Sequence, residues 1–385
     1  MIKKLVVGLI AVIASLIALT AIYIFSIIEK RPGEIPEVTS VAHGSDYGAG
    51  AKEADAWLKA LYVENNIPSV SAAVGVNGQL VWSGVIGYDD VKGRAPATLN
   101  TLYRIGSISK SLTAVAAMRM VDKGQIRLDE PVNTYVPDFA DGKATYTIRQ
   151  LLSHQSGVRH YSQDISESFN SKAYPDTRTA AAFVEHDPLL FEPGKGFHYS
   201  TYGYTVLALA MERAAHKPFE QIVNDEVLTQ AGMMLTRQNK VDATPKPVKP
   251  YLLINGALIE APEDNASHKY AGAGYLSTPS DLVRFGNALV ARDILTPKSR
   301  EALWTPALLA DGKINPEYYA LGFRVGGDKH GPFVHHGGTA NGGYSFLLIY
   351  PETGIVVALT SNYTPMDVGF DRLAKAQTLA ALFLR

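Results

Sequence analysis

No cysteine occurs anywhere in this sequence of 385 residues. That absence excludes a disulfide framework, catalysis by a thiol, and zinc or iron–sulfur sites held by cysteine, while it leaves the redox compartment open. The sequence also lacks an excess of either charge, because 36 basic residues face 37 acidic ones and the net charge is −1. A chain with this balance of charges has no overall positive electrostatic field that would attract nucleic acid or another polyanion, so no such partner is expected.

One long apolar run is present, a stretch of 24 residues without a charge from Leu5 to Ile28. As a helix it would measure about 36 Å at about 1.5 Å per residue, which is enough to cross a bilayer. The apolar core of a cleaved signal peptide is shorter, at about 7–15 residues. We therefore predict an uncleaved transmembrane anchor over 1–30, followed by a linker rich in Pro, Gly and Ser over 31–48. The rest of the chain would then lie on the extracytoplasmic side, the periplasmic side of an inner membrane.

The body of the chain, 49–385, has strand patterns at both ends and mostly helical patterns between them. An Asn77-Gly78 turn joins two β-type runs, and a second hairpin turns near Gly354, since such turns with alternating apolar flanks indicate hairpins. Residues of about 131–262 are mostly helical and loop-like. The sequence thus predicts an α+β fold, in which one antiparallel sheet is built from both chain ends, flanked by helices, and carries an inserted helical unit. The seam between sheet and insertion is where we expect a cleft.

A helix over about 107–123 is predicted by apolar residues at helical spacing and by Gly124 in the C-cap position. Ser107 stands at its amino-terminal end and Lys110 follows one turn later, so the two side chains are neighbours. A serine hydroxyl becomes a nucleophile when a base removes its proton, and a buried lysine amine loses its charge and can serve as that base. The alternative is that Ser107 is a helix cap and Lys110 a surface residue.

Four stretches of the sequence resemble, in the same order, segments of the serine β-lactamases and penicillin-binding proteins. The resemblance is to class C β-lactamases, D-Ala-D-Ala peptidases and mitochondrial serine β-lactamase-like proteins, and it covers about 50–365. It implies a β-lactamase/transpeptidase-like fold and an active-site serine. The stretches are RIGSISKSLTAVAAMRMVDKG (104–124), TIRQLLSHQSGVRHY (147–161), FEPGKGFHYSTYGY (191–204) and YAGAGYLSTPSDLVRFGNAL (270–289).

The resemblance also implies roles for two residues of the third stretch. The family has a Tyr-x-Asn element whose tyrosine exchanges protons with the serine and the leaving group, and Tyr199 occupies that position here. Thr201 replaces the usual asparagine. A threonine hydroxyl has one hydrogen-bond donor. It does not have the carbonyl and NH₂ groups with which asparagine forms hydrogen bonds to a substrate amide.

A third family element, Lys-Thr-Gly or His-x-Gly on a strand that lines the cleft, matches His335 to Gly338. By resemblance, His335 takes the lysine position and steers a substrate carboxylate, although an imidazole is not always charged. The Gly338 N–H group would join the Ser107 N–H group in an oxyanion hole. A metal site at His335 and His336 is disfavoured, since neighbours in a strand point to opposite faces.

These features together predict a membrane-anchored serine hydrolase of the β-lactamase or D-Ala-D-Ala peptidase type. It would act through an acyl-enzyme on amide, peptide or ester bonds, with Ser107, Lys110 and Tyr199 catalytic and with His335, Gly338 and Thr201 binding substrate. It would need no metal or organic cofactor. Its partners would be a small-molecule or peptide substrate and the membrane, and its oligomeric state is open. Two alternatives remain, namely a β-lactamase proper and a catalytically idle scaffold with the same fold.

Overall fold

The computed structural model describes residues 28–162, 167, 169–291 and 294–384. The anchor predicted over 1–30 lies outside these residues, except for its last three positions. Of those, Ile28–Glu29 forms a short strand rather than the end of a helix. Across the described ranges, no helix is both long enough and apolar enough to cross a membrane. The anchor therefore stays a prediction.

Strands occur near both ends of the described chain and in short pairs between them. In chain order they are β1 (Ile28–Glu29), β2 (Thr39–Ala42), β3 (Ser69–Val76), β4 (Gln79–Asp90), β5 (Ala95–Pro96), β6 (Tyr103–Arg104), β7 (Arg237–Gln238), β8 (Tyr251–Ile254), β9 (Ala257–Glu260), β10 (Tyr275–Ser277), β11 (Arg324–Asp328), β12 (Gly331–Ala340), β13 (Gly343–Tyr350), β14 (Ile355–Ser361) and β15 (Tyr363–Pro365).

Most of the α-helices lie between β6 and β11 in the sequence. In chain order the described ones are α1 (Gly48–Glu64), α2 (Ile108–Asp122), α3 (Ile148–Leu152), α4 (Thr177–Ala181), α5 (Thr201–Ala215), α6 (Phe219–Val223), α7 (Tyr270–Ala273), α8 (Pro279–Ala291), α9 (Pro297–Trp304) and α10 (Arg372–Ala381).

The main sheet has the strand order β11-β12-β13-β14-β3-β4-β2, with β5 paired to β4. Its pairs are antiparallel, and β14 from the end of the chain pairs with β3 from the beginning, with Ala358 opposite Ala73. The predicted antiparallel sheet from both chain ends is confirmed. The helical unit between β6 and β11 also contains a hairpin that was not predicted, β8–β9, which turns at Asn255 and Gly256.

The main sheet is covered on both faces, and β3 shows why its sequence has no polar face. All eight residues of β3 are buried. Ala72 and Val74 pack into one apolar cluster with α1 and α10, while Ala73 between them packs into the other cluster, with α2 and α8. Because successive residues of a strand point to opposite faces, a strand between two layers of helices is apolar throughout.

The predicted linker over 31–48 is not a tether along its whole length. Thr39–Ala42 forms β2, which pairs with β4 so that Val41 lies opposite Ser83. The strand is mostly exposed, so its residues carry no apolar alternation. It forms because the open edge of β4 offers unpaired backbone groups, and backbone hydrogen bonding does not depend on side-chain type.

Helix α2 runs through the centre of the molecule, and 12 of its 15 residues are buried. The apolar stripe predicted for it is present, but its other faces are buried as well. Small hydroxyl side chains make this possible, because Ser111 Oγ donates to Gly322 O and Thr113 Oγ1 donates to Ala271 O, each at 2.7 Å. A buried hydroxyl with a partner avoids the cost of an unsatisfied polar group. The amino-terminal end of this helix lies at the seam between sheet and helical unit.

Candidate active site

A cavity of about 520 Å³ opens at the amino-terminal end of α2. Its walls come from both halves of the molecule, since Ser107, Tyr199 and Thr201 belong to the helical side while His335 belongs to strand β12. Four of the six predicted site residues therefore line one cavity. The other two, Lys110 and Gly338, are buried directly behind this wall.

Ser107 occupies the N-cap position of α2, but its hydroxyl makes no capping hydrogen bond. The side chain is partly exposed to the cavity. The distance between Ser107 Oγ and Lys110 Nζ is 3.4 Å. The hydroxyl is thus accessible from the cavity and lies next to the amine, rather than being used to end the helix.

Lys110 is 0% exposed. Its Nζ donates to Thr201 Oγ1 at 2.9 Å and to Gly272 O at 2.8 Å, so both of these partners are uncharged. Burial, and then the charge of Arg324, hold the pKa of Lys110 well below its ordinary value. A neutral amine has two N–H groups and one lone pair. The two N–H groups match Thr201 and Gly272, which leaves the lone pair for the Ser107 hydroxyl.

Tyr199 lies next to both Ser107 and Lys110. Lys110 Nζ lies 4.6 Å from the centre of the Tyr199 ring, and the Tyr199 hydroxyl interacts with the Ser107 side chain. Burial is the largest cause that raises the pKa of Tyr199 above its ordinary value. The ring rests on the buried imidazole of His154 with centroids 4.3 Å apart, and His154 Nδ1 accepts a hydrogen bond from Ser200 N at 3.1 Å. His154 therefore fixes the segment that carries Tyr199.

Thr201 begins helix α5, directly after the cap formed by Ser200, whose Oγ accepts from Gly203 N at 2.9 Å. Thr201 is 1% exposed, and its hydroxyl accepts the hydrogen bond from Lys110. A Cβ atom added at Gly272 would lie 2.6 Å from Thr201 Cγ2. The glycine thus lets α7 approach α5 closely enough for both to hold the lysine amine.

The two histidines of β12 face opposite sides of the strand, as predicted. His335 lines the cavity, stacked on Phe346 with ring centroids 5.3 Å apart. His336 is 0% exposed, and its Nε2 lies 3.0 Å from the Tyr319 hydroxyl. Burial, followed by the charges of Arg324 and Arg372, lowers the pKa of His335 to about 4. His335 is consequently neutral at pH 7 and brings no positive charge to the cavity.

Gly338 lies against the backbone just before the serine. A Cβ atom at Gly338 would be 1.9 Å from Ile105 O, and one at Gly106 would be 2.7 Å from Thr339 N. The two chain segments meet through main-chain atoms, which only glycine permits at such distances. Strand β11 pairs with β12 no further than Arg324 opposite His335. Beyond that point, β12 stays paired with β13 on one edge, and β11 does not cover the other edge next to Ser107.

Two arginines that sequence reasoning missed also line the cavity. Arg324, at the start of β11, places its guanidinium 5.4 Å from the Tyr199 ring centre. Arg372, at the start of α10, donates to Gly338 O at 2.7 Å and lies 4.1 Å from the Tyr344 ring centre. Neither residue belongs to a stretch with a recognisable pattern, and no signal in the sequence brings the ends of β11 and α10 to the serine.

The cavity is electropositive. Lys269, Arg324 and Arg372 line it, and no Asp or Glu is among the side chains that line it in the described ranges. Two of the three are paired with a carboxylate, since Lys269 Nζ lies 3.2 Å from Asp264 Oδ2 and Arg324 Nε lies 3.3 Å from Glu317 Oε2. Within the described residues, no group of three or more potential ligands is arranged to hold a metal ion. The lining of the cavity therefore carries positive charges, two of which are paired with a carboxylate outside the lining.

Comparisons with known proteins show the family and the fold of the chain. The family model described as Beta-lactamase matches residues 54–382. The human serine beta-lactamase-like protein LACTB, mitochondrial, is 28% identical in an alignment 398 positions long, and the alignment covers 79% of this chain and 73% of that protein. The fold is similar to the D-amino acid amidase from Ochrobactrum anthropi, with a TM-score of 0.73, 22% identity and coverage of 86% of this chain and 98% of that one. It is also similar to the octameric penicillin-binding protein homologue from Pyrococcus abyssi, with a TM-score of 0.71, 24% identity and coverage of 86% and 77%.

Proposed function

This chain belongs to the Beta-lactamase family, and from that premise we propose that it is a serine hydrolase that forms an acyl-enzyme at Ser107. The substrates would be amides, peptides or esters. The observation that carries the proposal is the environment of Lys110, a fully buried lysine that uses two uncharged acceptors for its N–H groups and has the serine hydroxyl as its third neighbour.

In the proposed acylation step, Ser107 Oγ bonds to the carbonyl carbon while its proton moves to the lone pair of Lys110. The carbonyl oxygen becomes negative and accepts hydrogen bonds from the backbone N–H groups of Ser107 and Gly338. Tyr199 then donates its proton to the leaving group and regains one from Lys110, so that both side chains return to their neutral forms. The bond between the carbonyl carbon and the leaving group breaks, and the acyl group stays on Ser107.

In the proposed deacylation step, a water molecule attacks the acyl-enzyme and its proton passes through Tyr199 to Lys110. The bond between the acyl carbon and Ser107 Oγ breaks, and Lys110 returns the proton to that oxygen. The high pKa of Tyr199, caused first by burial, suits this role, because the hydroxyl then holds a proton between transfers and does not rest as an anion.

The positive charge of the cavity favours some of the proposed amide, peptide and ester substrates over others. Since His335 is neutral, the positive charges near the serine come from Arg324, Arg372 and Lys269. Arg324 already donates from Nε and Nη2 to Glu317 Oε2, at 3.3 and 3.4 Å, and Lys269 is paired with Asp264. Arg372 donates to the uncharged backbone oxygens of Gly338 and Ser345, so a substrate carboxylate would pair with Arg372. The proposed substrate therefore carries a carboxylate or another anionic group, which favours a peptide or amide with a free carboxylate over a neutral ester.

Covalent labelling tests the proposed nucleophile. We expect a fluorophosphonate probe to add once to the wild-type chain, at the peptide that contains Ser107, and to give no adduct with Ser107→Ala. Intact-protein and peptide mass spectrometry measure both results. Ser111→Ala is the matched control, because Ser111 lies on the same helix but its hydroxyl donates to Gly322 O, and this variant should label normally. An unlabelled wild type, or an adduct elsewhere, contradicts the proposal.

The same labelling separates the two alternatives. A catalytically idle scaffold gives no adduct, whereas an enzyme gives one. A β-lactamase proper also hydrolyses a chromogenic cephalosporin over many turnovers, and slow acylation without turnover instead favours a peptidase or esterase. Thr201 in place of an amide side chain is the residue that favours the second outcome, since its hydroxyl is bonded to Lys110.

We further propose that the apolar run from Leu5 to Ile28 anchors the protein in a membrane, with the cavity outside the cytoplasm. The support is the length of the run in the sequence. Extraction of membranes with alkaline carbonate should leave the full chain in the pellet and release a chain that starts at Glu29. Release of both forms would contradict the anchor without affecting the proposal for Ser107.

A further inference from the structure

A smaller sheet, with the strand order β1-β9-β8-β15, has an apolar face that the proposed chemistry does not use. Its inner face packs on the body, since Tyr251 and Leu258 are buried in the same apolar cluster as residues of α1 and α10. Successive residues of a strand point to opposite faces. Leu252 and Ile259, which lie opposite each other in β8 and β9, therefore point outward, and both are partly exposed.

The outer positions of these four strands carry no charge. The charged residues of the strands are Glu29 and Glu260, and both lie in register with inner residues, because Glu29 pairs with Leu258 and Glu260 with Tyr251. A hairpin whose outer face met only water would normally carry polar residues there. An exposed apolar face of this kind instead marks a contact with another molecule or with a membrane. The apolar residues at the outer positions are Ile28, Leu252, Ile254, Ala257 and Ile259.

The outer residues form a row across the sheet, from Ile28 through Ile259 and Leu252 to Thr364. Three strand spacings of about 4.8 Å make this row about 14 Å long. At one end, Ile28 is the last residue of the uncharged run that begins at Leu5. At the other end, Thr364 is among the residues that line the cavity. The row thus connects the end of the proposed anchor with the wall of the cavity.

The chain has no free length between the apolar run and the body. Ile28 already pairs with β9, and shortly after it Arg31 Nη1 donates to Tyr62 O at 2.7 Å. The Arg31 guanidinium also lies 4.3 Å from the Tyr62 ring centre. A flexible linker over 31–48 would let the body move roughly 20–25 Å from a membrane, at about 5–6 Å times the square root of its length in residues. The pairing of β1 instead holds the smaller sheet at the point where the run meets the body.

We propose that the outer face of this sheet rests on the phospholipid bilayer that the run from Leu5 to Ile28 crosses. The inference rests on the proposed anchor and not on the chemistry proposed at Ser107. Two observations favour a bilayer over another protein. The apolar run ends on the face itself, and the hydroxyl at its far end, on Thr364, is already bonded to Gly342 N and Ala340 O. The cavity would then lie beside the membrane surface.

Because the chain has no cysteine, single labelled positions can measure this contact. Ile254→Cys carries a bimane label on the outer face, and the full-length variant is reconstituted in phosphatidylcholine vesicles. We expect its emission to shift to the blue and to fall about twofold when part of the lipid carries a nitroxide, since an apolar face at the interface lies roughly 5–10 Å deep. Leu252→Cys should respond in the same way, and it gives a second readout if one label disturbs the fold.

Gln79→Cys is the matched control. Gln79 is exposed and begins β4, opposite Val76 at the end of β3. The other end of β3 meets the smaller sheet, where Ser69 N donates to Asn362 Oδ1, and the strand between these ends covers about 24 Å at about 3.4 Å per residue. The label at Gln79→Cys should therefore stay unquenched in the same vesicles. Equal quenching at Gln79→Cys and Ile254→Cys contradicts a contact made by one face.

The outcomes also distinguish the face from the anchor. If the full chain resists carbonate extraction but the labels on the sheet are not quenched, the anchor stands and the contact with the bilayer is wrong. A blue shift without quenching means that protein, such as a second copy of the chain, covers the face, which also overturns the proposal. Release of the full chain by carbonate overturns the anchor and this inference together. Fluorophosphonate labelling of Ser107 is independent of all three results.

Discussion

Two buried lysines lie close to the cavity, and they are held in opposite ways. Lys110 is 0% exposed and its hydrogen-bond partners are hydroxyl and carbonyl oxygens. The Lys269 side chain is 7% exposed and has the buried carboxylate of Asp264 at 3.2 Å. Burial without an opposite charge disfavours an ammonium, whereas a nearby carboxylate favours it. The same residue type therefore has uncharged hydrogen-bond partners at one position and a carboxylate partner at the other.

Under the proposed mechanism, this difference would serve two tasks that need different charge states. Proton transfer requires an amine that can gain and lose a proton near neutral pH, and substrate binding requires a charge that does not change. Asp264 is the residue that distinguishes the two lysines, because it accompanies Lys269 and not Lys110. Three predictions test this comparison, from the largest expected effect to the smallest.

The largest effect is expected from Lys110→Arg. A guanidinium keeps its proton at any pH that the protein tolerates, so this variant places a permanent cation at position 110 and loses the proposed base. We expect kcat/KM to fall about 10³-fold, within the range typical for loss of a general base. Lys123→Arg, just beyond the end of the same helix and half-exposed, is the control and should keep full activity. Substantial activity in Lys110→Arg would show that the lysine acts only as a positive charge.

The second prediction concerns the stability of the charged pair. Asp264→Asn leaves the Lys269 ammonium buried without its carboxylate, which should lower the free energy of unfolding by about 3–5 kcal/mol. Chemical denaturation measures this change. Asp311→Asn, which removes the exposed partner of Lys313, should leave stability unchanged within error. Equal effects of the two substitutions would mean that the Asp264 pair is no more than a surface contact.

The third and smallest effect is expected from Thr201→Asp, which gives Lys110 a carboxylate neighbour of the kind that Lys269 has in Asp264. In Thr201→Asp a carboxylate would lie next to the amine and raise its pKa. Because only the neutral amine acts as a base, activity is present above that pKa and is lost as the pH falls through it. In a plot of kcat/KM against pH, the loss of activity on the acid side should therefore occur at a pH about one to two units higher than in the wild type.

Thr201→Asn is the control for that experiment, since asparagine has the same size as aspartate but no charge. Its acid limb should stay where the wild type has it. If both variants shift the profile equally, the change of shape at position 201 is responsible and the electrostatic explanation of Lys110 is contradicted.

Much of the fold followed from local patterns in the sequence. The hairpin at Asn77-Gly78 and the helix after Ser107 were predicted because their signals are contained within a few residues. The β8–β9 hairpin turns at Asn255-Gly256, the same type of signal, and it was missed because it lies within a region interpreted as helical. Strand β2 was missed for a different reason, since it exists only where the edge of β4 is available to pair with it.

The site was predictable where its residues are neighbours in the chain. Ser107 and Lys110 are one helical turn apart, so their contact could be inferred from spacing, while Tyr199 and His335 were identified by resemblance alone. Arg324 and Arg372 reach the cavity from the starts of a strand and a helix far along the chain. Their positions depend on how the sheet and α10 pack, and no local pattern encodes that. The catalytic roles of Ser107, Lys110 and Tyr199 stay predictions, as do the substrate-binding and oxyanion roles of the other three residues, His335, Gly338 and Thr201.

The main-chain contact between Gly338 and Ile105 has a consequence for regulation of the rate. The proposed nucleophile, Ser107, lies on the helical side and the proposed second oxyanion donor, Gly338, lies on the sheet. The two groups are therefore close together only when the helices and the sheet are packed correctly. A methyl group at Gly338 would already come within 1.9 Å of Ile105 O, so the two backbone segments are in close contact and have no free space between them. Turnover should thus respond to any binding event that tilts one unit against the other, even when every side chain in the cavity keeps its own conformation.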